Sequence, residues 1–170
     1  MSVAVQSPQK PFINIGLVKS HIIVGFVFLV VAMLAGILYS LQLNNLYPFV
    51  GIELLSPGRI RMVHTNGVAY GFILNVFLGA LYWVVPRLTK RRILSDLLGW
   101  LIFWVYLFIV LWAVVGILTG HAQAVEWGET PNMFSPNGSI LFPIDTLVMV
   151  GLILIAIQFL TPIFQFGSKQ

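Results

Sequence analysis

The chain has 170 residues, of which 59% are hydrophobic and only 8% are charged. Soluble globular proteins carry about 25% charged residues, so this composition excludes a soluble globule. The nine basic and five acidic residues leave four long uncharged stretches, and each can hold the roughly 20-residue helix that crosses a bilayer core. The chain therefore has room for four membrane spans and for no independent soluble catalytic domain.

Two further classes are excluded by composition. The chain has no cysteine, so it has no disulfide, no thiolate metal site and no covalent Cys-x-x-Cys-His haem attachment. Its net charge is +4, but the basic residues lie at span ends and form no stripe of the kind that binds nucleic acid. We therefore expect the chain to be surrounded by membrane lipid and not to bind nucleic acid.

The elements follow in order from the uncharged stretches. The first stretch is too long for a signal-peptide core and has no clear cleavage site after it, so it is read as a retained span. The predicted spans are 21–43, 60–86, 97–118 and 140–162. They form a transmembrane domain over 21–166, between an N-terminal tail at 1–20 and a C-terminus at 167–170. The sequence thus predicts an all-α polytopic membrane fold with four transmembrane helices.

Basic residues near the span ends predict the orientation. With four spans, the tail, the second connection and the C-terminus share one side, which is predicted to be cytoplasmic. The basic residues on that side are Lys10, Lys19, Arg87, Lys90, Arg91, Arg92 and Lys169. Arg59 and Arg61 are exceptions, since they lie at the outer end of the second span. An anionic partner is the simplest reason for two arginines there.

His64 is the residue of greatest interest, because an ionisable side chain inside a span is costly unless it has a partner. Helical spacing places His64, Gly67, Gly71 and Asn75 on roughly one face of the second span. The two glycines make this face shallow enough for a flat macrocycle whose iron binds the imidazole. Arginines at the mouth suit its propionate carboxylates, because they stay charged and offer a forked donor.

Other interpretations of these residues stay open. A Gly-xxx-Gly pair usually indicates close packing of two helices, and a membrane histidine can simply bond to a neighbouring helix. His21, at the cytoplasmic end of the first span, is predicted to be an interfacial residue. His121 lies on the same outer side as His64, so a haem held by both within this chain is a minority alternative. Asp145 is predicted to be a helix-entry acid.

A family resemblance is carried by the second span. Residues 56–68, Ser-Pro-Gly-Arg-Ile-Arg-Met-Val-His-Thr-Asn-Gly-Val, continue to Tyr-Trp-Val-Val-Pro-Arg-Leu-Thr at 82–89. This stretch resembles the second transmembrane helix in the catalytic subunit of haem-copper oxygen reductases. It is most similar to the cbb-type cytochrome c oxidases, and next to the nitric oxide reductases. The resemblance implies that His64 is one axial ligand of a low-spin haem b, with Arg59 and Arg61 on its propionates and Gly67 and Gly71 facing it.

A second segment extends the resemblance. Residues 120–129, Gly-His-Ala-Gln-Ala-Val-Glu-Trp-Gly-Glu, are similar to the family segment whose outward glutamate joins a calcium site at the haem propionates. The resemblance implies Glu126 as that ligand, and carboxylate oxygen suits calcium. A stretch rich in Asn, Pro and Gly before residue 142 departs from the family pattern. Glu126 and Glu129 as solvated loop charges therefore stay an alternative.

The resemblance covers only the first four helices of a longer catalytic subunit. The family's copper ligands, high-spin haem ligand and second low-spin haem ligand belong to later helices. The sequence thus predicts one part of a larger haem-copper oxidase helical bundle, with the catalytic subunit divided between two polypeptides. The second polypeptide would hold the high-spin haem and copper, and the chain would not be active alone.

The predicted function is a subunit of a split cbb-type terminal oxidase in the bacterial cytoplasmic membrane, with both termini cytoplasmic. Its low-spin haem b, shared with the partner, would pass electrons to an oxygen-reducing haem-copper centre there, with c-type cytochrome subunits as donors. Two alternatives remain. One is the equivalent subunit of a nitric oxide reductase, and the other is a haem-free accessory or assembly subunit with four helices.

Overall fold

The computed structural model describes residues 12–120 and 144–167, and these form four long helices without a strand. The helices are α1 (Ile15–Leu43), α2 (Pro57–Thr89), α3 (Asp96–Thr119) and α4 (Ile144–Gly167), with a short 3-10 turn at Glu53–Leu55 before α2. Each helix contains a stretch long and apolar enough to cross a membrane. The predicted all-α fold with four spans is confirmed. The sides that the termini face stay a prediction.

Side-chain caps fix the starts of α1 and α3. The Asn14 side chain accepts a hydrogen bond from the Leu17 amide at 3.1 Å, and the Ser95 hydroxyl accepts one from the Leu98 amide at 3.3 Å. Short polar side chains of this kind satisfy amides that have no partner within the helix. Because Asn14 is the cap, α1 begins at Ile15, six residues before the start of the predicted first span.

Two helices continue beyond prolines at which the predicted spans ended. α2 runs through Pro86 to Thr89, and α4 runs through Pro162 to Gly167. A proline has no N–H to donate to the carbonyl four residues before it. Membrane helices tolerate this loss because neighbouring groups satisfy the freed carbonyl. The first residues of the predicted fourth span, 140–143, lie outside the described residues.

The middle of α2 departs from regular α-helical geometry. Gly67–Leu74 forms a π-helical segment between α-helical turns. Such segments have wider turns than an α-helix and often occur at functional sites. The predicted face of His64, Gly67, Gly71 and Asn75 follows from the spacing of a regular α-helix, which does not reveal a π-helical segment. The segment changes which side chains of α2 share a face beyond Gly67.

The core lies where all four helices meet. α1 packs against the length of α2, while α4 packs against α3 and the last part of α2. Near the start of α1, the main apolar cluster includes Leu17, Leu78, Tyr82, Phe103 and Phe159. A smaller cluster around Val63 and Ile117 lies at the other end of the bundle. Large apolar side chains also cover the outer flanks of the helices, as lipid or neighbouring subunits require.

Candidate functional site

The His64 imidazole lies between α2 and α1 with a defined proton position. Its Nδ1 is 2.7 Å from the backbone carbonyl oxygen of Ala32, and Gly36 lies directly against the ring. A carbonyl oxygen only accepts hydrogen bonds, so Nδ1 must carry the proton. In the neutral ring, Nε2 then has the free lone pair. The His64 side chain is partly exposed, so the helices do not fully enclose it.

This arrangement fits an axial haem ligand. Histidines that bind metals usually donate the other ring N–H to a carbonyl or carboxylate, which fixes the tautomer and the ring orientation. Ala32 supplies such a carbonyl. In the described part of the chain no three His, Asp or Glu side chains gather as a metal site. A haem does not need such a group, because its macrocycle supplies the equatorial nitrogens.

Arg59 is held by groups within the chain. Its guanidinium donates to Glu53 Oε1 at 2.5 Å and to the backbone carbonyl oxygen of Leu118 at 2.9 Å. The Leu118 carbonyl belongs to the last turn of α3, where a positive charge is favourable. Gly120, with φ of 81°, leaves room for the guanidinium. Arg59 thus links the start of α2 to the end of α3, and its propionate role stays a prediction.

Arg61 is the freer of the two arginines. It lies one helical turn before His64, and its residue is exposed. Among the residues that the structure describes, none forms a hydrogen bond or ion pair with its side chain. An exposed guanidinium at this place is available to an anionic group beside His64.

Gly67 and Gly71 lie at the contact with α1. A Cβ atom on Gly67 would be 3.0 Å from Cβ of Ala32, and one on Gly71 would be 2.7 Å from the Phe28 ring. These contacts are those of close helix packing, the alternative that the sequence left open. Gly67 also lines an apolar cavity of about 270 Å³ between α1, α2 and α3. The predicted role of both glycines at a haem face stays a prediction.

His21 is enclosed by the helices. Its side chain is fully buried and its Nδ1 is 3.0 Å from Oδ1 of Asn75, and its place at the membrane interface stays a prediction. The buried residues of α1 include Leu17, His21, Gly25, Phe28 and Ala32. Their spacing of three and four residues is that of one buried helix face. Because α1 is apolar on all sides, apolar periodicity in the sequence does not single out this face.

His64 and His21 lie at different levels along the axis of the bundle. His64 contacts α1 at Ala32, roughly 16 Å along the helix axis from His21 at a rise of about 1.5 Å per residue. They cannot bind one iron. Asn75, which the spacing placed on the His64 face, instead bonds to His21.

The remaining predicted site residues lie outside the described residues. These are His121, Glu126 with its predicted calcium, and Glu129. Asp145 belongs to α4, but its side chain is not described.

The family match and the similar proteins point to the same family. Residues 16–170 match the family described as cytochrome c and quinol oxidase polypeptide I. Cytochrome c oxidase subunit 1 of Rhodobacter capsulatus is 27% identical over 163 residues, which are 93% of this chain and 28% of the relative. The Cbb3-type cytochrome c oxidase subunit CcoN1 of Stutzerimonas stutzeri is 26% identical over 144 residues, 84% of this chain and 28% of the relative.

A nitric oxide reductase is also similar. A subunit of the nitric oxide reductase of Stutzerimonas stutzeri is 24% identical over 157 residues, 91% of this chain and 32% of the relative. The chain thus spans less than a third of the length of each of these three relatives. Because the family match covers nearly the whole chain, the protein belongs to the cytochrome c and quinol oxidase polypeptide I family, the haem-copper oxidase subunit I family with cbb3-type and nitric oxide reductase members.

Proposed function

We propose that the chain supplies His64 as one axial ligand of a low-spin haem b in a cbb-type terminal oxidase. The observation that carries this proposal is the hydrogen bond from Nδ1 of His64 to the Ala32 carbonyl oxygen at 2.7 Å. It holds the ring in the tautomer whose Nε2 can bind iron. The haem would accept and pass on single electrons, and the chain's own residues would hold it and set its surroundings.

The second axial ligand and the oxygen-reducing centre require residues that this chain does not offer. A six-coordinate haem needs two axial ligands, and the chain has three histidines. His21 is bonded to Asn75 at another level, and the family resemblance assigns no ligand role to His121. We therefore assign the second ligand, the high-spin haem and the copper to a partner polypeptide. A c-type cytochrome subunit would deliver the electrons.

The charged groups at this end of α2 have separate roles in the proposal. Arg61, exposed and without a partner among the described side chains, would contact a propionate. Arg59, with two nitrogens bonded to Glu53 and Leu118, would mainly fix the helix ends and add positive potential. Glu126 would supply a carboxylate to calcium beside the propionates.

Replacing His64 tests the proposal. In the purified complex, His64→Ala should remove the low-spin haem b signal from the optical and electron paramagnetic resonance spectra. A pyridine haemochrome assay should show a b-type haem content reduced by one haem per complex. Added imidazole should restore part of the low-spin signal by filling the space of the lost ring.

His121→Ala is the matched control, because it removes another histidine of the predicted outer side. It should leave the low-spin signal at the wild-type level. An unchanged signal in His64→Ala would overturn the ligand assignment and favour the haem-free accessory subunit. Loss of the signal in both variants would show that the two histidines hold the haem within this chain.

A nitric oxide reductase is the second candidate, supported by the similarity to the Stutzerimonas stutzeri nitric oxide reductase over 91% of the chain. The ligand role of His64 is the same in both candidates. The metal content of the whole complex separates them. One copper at the catalytic centre supports the oxidase, whereas an extra non-haem iron in its place supports the reductase.

A further inference from the structure

A buried polar cluster lies in the half of the bundle away from His64. Its members are His21 on α1 with Asn75 and Tyr82 on α2, and all three are almost fully buried. The His21 ring stacks on the Tyr82 ring with centroids 5.4 Å apart, and the edge of Phe103 completes the surroundings at 5.0 Å. The proposed haem site uses none of these groups.

The hydrogen bonds of Asn75 fix the tautomer of His21. Asn75 Nδ2 donates to the Gly71 carbonyl oxygen at 2.8 Å, so the amide oxygen Oδ1 is the atom that faces His21. This oxygen only accepts, so His21 Nδ1 must donate. The described side chains in contact with His21 carry no charge, and an imidazolium buried without a counter-charge is costly. The ring is therefore neutral, with an unprotonated Nε2.

Two polar atoms of the cluster have no hydrogen-bond partner within the described part of the chain. One is Nε2 of His21, which needs a donor, and the other is the Tyr82 hydroxyl, which has a proton to donate and lone pairs to accept. The Gln158 amide bonds to the backbone of Ser95 and also lies near this hydroxyl, but no hydrogen bond of acceptable geometry joins the amide and the hydroxyl. Buried polar atoms are nearly always hydrogen-bonded to protein or to ordered water. Because the two rings are stacked, the Tyr82 hydroxyl points along the plane of its own ring and not toward the His21 imidazole.

A buried water needs two to four polar partners. Nε2 of His21 and the Tyr82 hydroxyl supply two of them, on rings whose centroids are 5.4 Å apart.

We propose that a buried water molecule bridges His21 and Tyr82, donating one hydrogen bond to Nε2 of His21 and forming another with the Tyr82 hydroxyl. The water keeps an unprotonated, proton-accepting nitrogen hydrated inside the membrane-spanning bundle. This site is independent of the proposed haem site, so either can fail without the other.

Solid-state nuclear magnetic resonance of the full chain in lipid bilayers, with ¹⁵N-labelled histidine, tests the water site. The His21 signals are identified by their loss in His21→Asn. In the wild-type protein, His21 should show a protonated Nδ1 and an unprotonated, hydrogen-bonded Nε2. Magnetisation should pass from water protons to Nε2. A protonated Nε2, or the absence of transfer from water, would overturn the proposal.

The Tyr82→Phe variant tests the bridge itself. It keeps the ring stacked on His21 and removes only the hydroxyl, so the transfer from water to Nε2 should fall at least twofold. Tyr47→Phe, the same change at an exposed loop residue, should match the wild type. Equal transfer in Tyr82→Phe and wild type would show that the hydroxyl holds no shared water. The wild-type measurement stands even where the Tyr82→Phe protein does not fold.

Discussion

His64 and His21 show how one residue type acquires two environments on the same pair of helices. Each ring places Nδ1 against an oxygen, the Ala32 carbonyl in one case and the Asn75 amide in the other. Each therefore has Nε2 as its basic atom. The rings differ in enclosure, since His64 is partly exposed and His21 is fully buried. Only His64 can offer its basic nitrogen to a large ligand outside the helix pair.

Gly36 gives a test of how His64 is positioned. A Cβ atom at Gly36 would lie 2.7 Å from Nδ1 and Cε1 of His64. We expect Gly36→Ala to push the ring away from Ala32 at a cost of about 1–3 kcal/mol, because the contact becomes overpacked. At about 1.4 kcal/mol per factor of ten, the affinity for the haem should fall by about 5- to 140-fold, and the low-spin signal of the complex should decrease with it.

The matched control for Gly36→Ala is Gly151→Ala, whose added methyl group meets open space. That variant should keep the wild-type optical and paramagnetic spectra. A Gly36→Ala complex with an unaltered low-spin signal would show that the ring position at this contact does not matter for the haem.

At the scale of the elements, the contact between α1 and α2 depends on small residues. Gly71→Ala would place a methyl group 2.7 Å from the Phe28 ring and should destabilise the helix pair by about 1–3 kcal/mol. Thermal unfolding followed by circular dichroism in detergent measures the loss, again against Gly151→Ala. Equal midpoints for the two variants would contradict close packing at Gly71.

The attachment of α4 to α3 depends on one buried amide. Gln158 donates to the Ser95 carbonyl oxygen at 2.7 Å and accepts from the Ser95 amide at 3.3 Å. Gln158→Leu removes both bonds. The Ser95 carbonyl keeps the Gly99 amide as a donor at 3.1 Å, but the part-buried Ser95 amide loses its acceptor, so we expect a loss of about 1–3 kcal/mol. Gln165→Leu, two turns later, removes an exposed hydrogen bond from Arg91 at 3.2 Å and should cost less than about 0.5 kcal/mol in the same unfolding experiment.

The existence of the helices could be predicted, but their details could not. Uncharged stretches are long-range features of composition, and they correctly indicated four spans. The ends were less predictable: α1 begins at the Asn14 cap, and α2 continues past Pro86 to Thr89. The π-helical turns of α2 leave no mark in a search for regular periodicity.

The sequence likewise predicts one part of the candidate site, and the fold supplies the other part. A motif identified His64 and the arginines as a group, because the resemblance concerns residues close together in sequence. The partners Ala32, Glu53 and Leu118 come from other segments, so only the fold brings them to α2. The contact of His21 with Asn75 joins residues 54 positions apart, so it too appears only in the fold.

At the scale of the whole molecule, the chain leaves much apolar surface uncovered. Large side chains such as Phe26, Val30 and Leu34 on α1 are about half exposed or more. In a membrane, lipid or neighbouring subunits would cover this surface. The proposed function adds a partner polypeptide that supplies the second haem ligand. The low-spin haem is then expected to depend on the assembly.

Expression of the chain without its partners tests this dependence. The chain should insert into membranes, but its content of low-spin haem b should be below one-tenth of that in the complex, since one axial ligand is missing. The pyridine haemochrome assay and the optical spectrum measure both samples. A six-coordinate haem in the chain alone, lost in His121→Ala, would contradict a shared site.

The contacts of Arg59 couple the binding of an anion by this side chain to its bonds with α3 and Glu53. The same guanidinium holds the last turn of α3 through Leu118 and pairs with Glu53. An anion that draws Arg59 toward itself competes with both, so its binding free energy includes the release of α3. By reciprocity, the factor by which the bond to α3 weakens the affinity of Arg59 for that anion is the factor by which the bound anion weakens the hold on α3. Arg61 is free of this coupling, so the two arginines would respond differently to the same ligand.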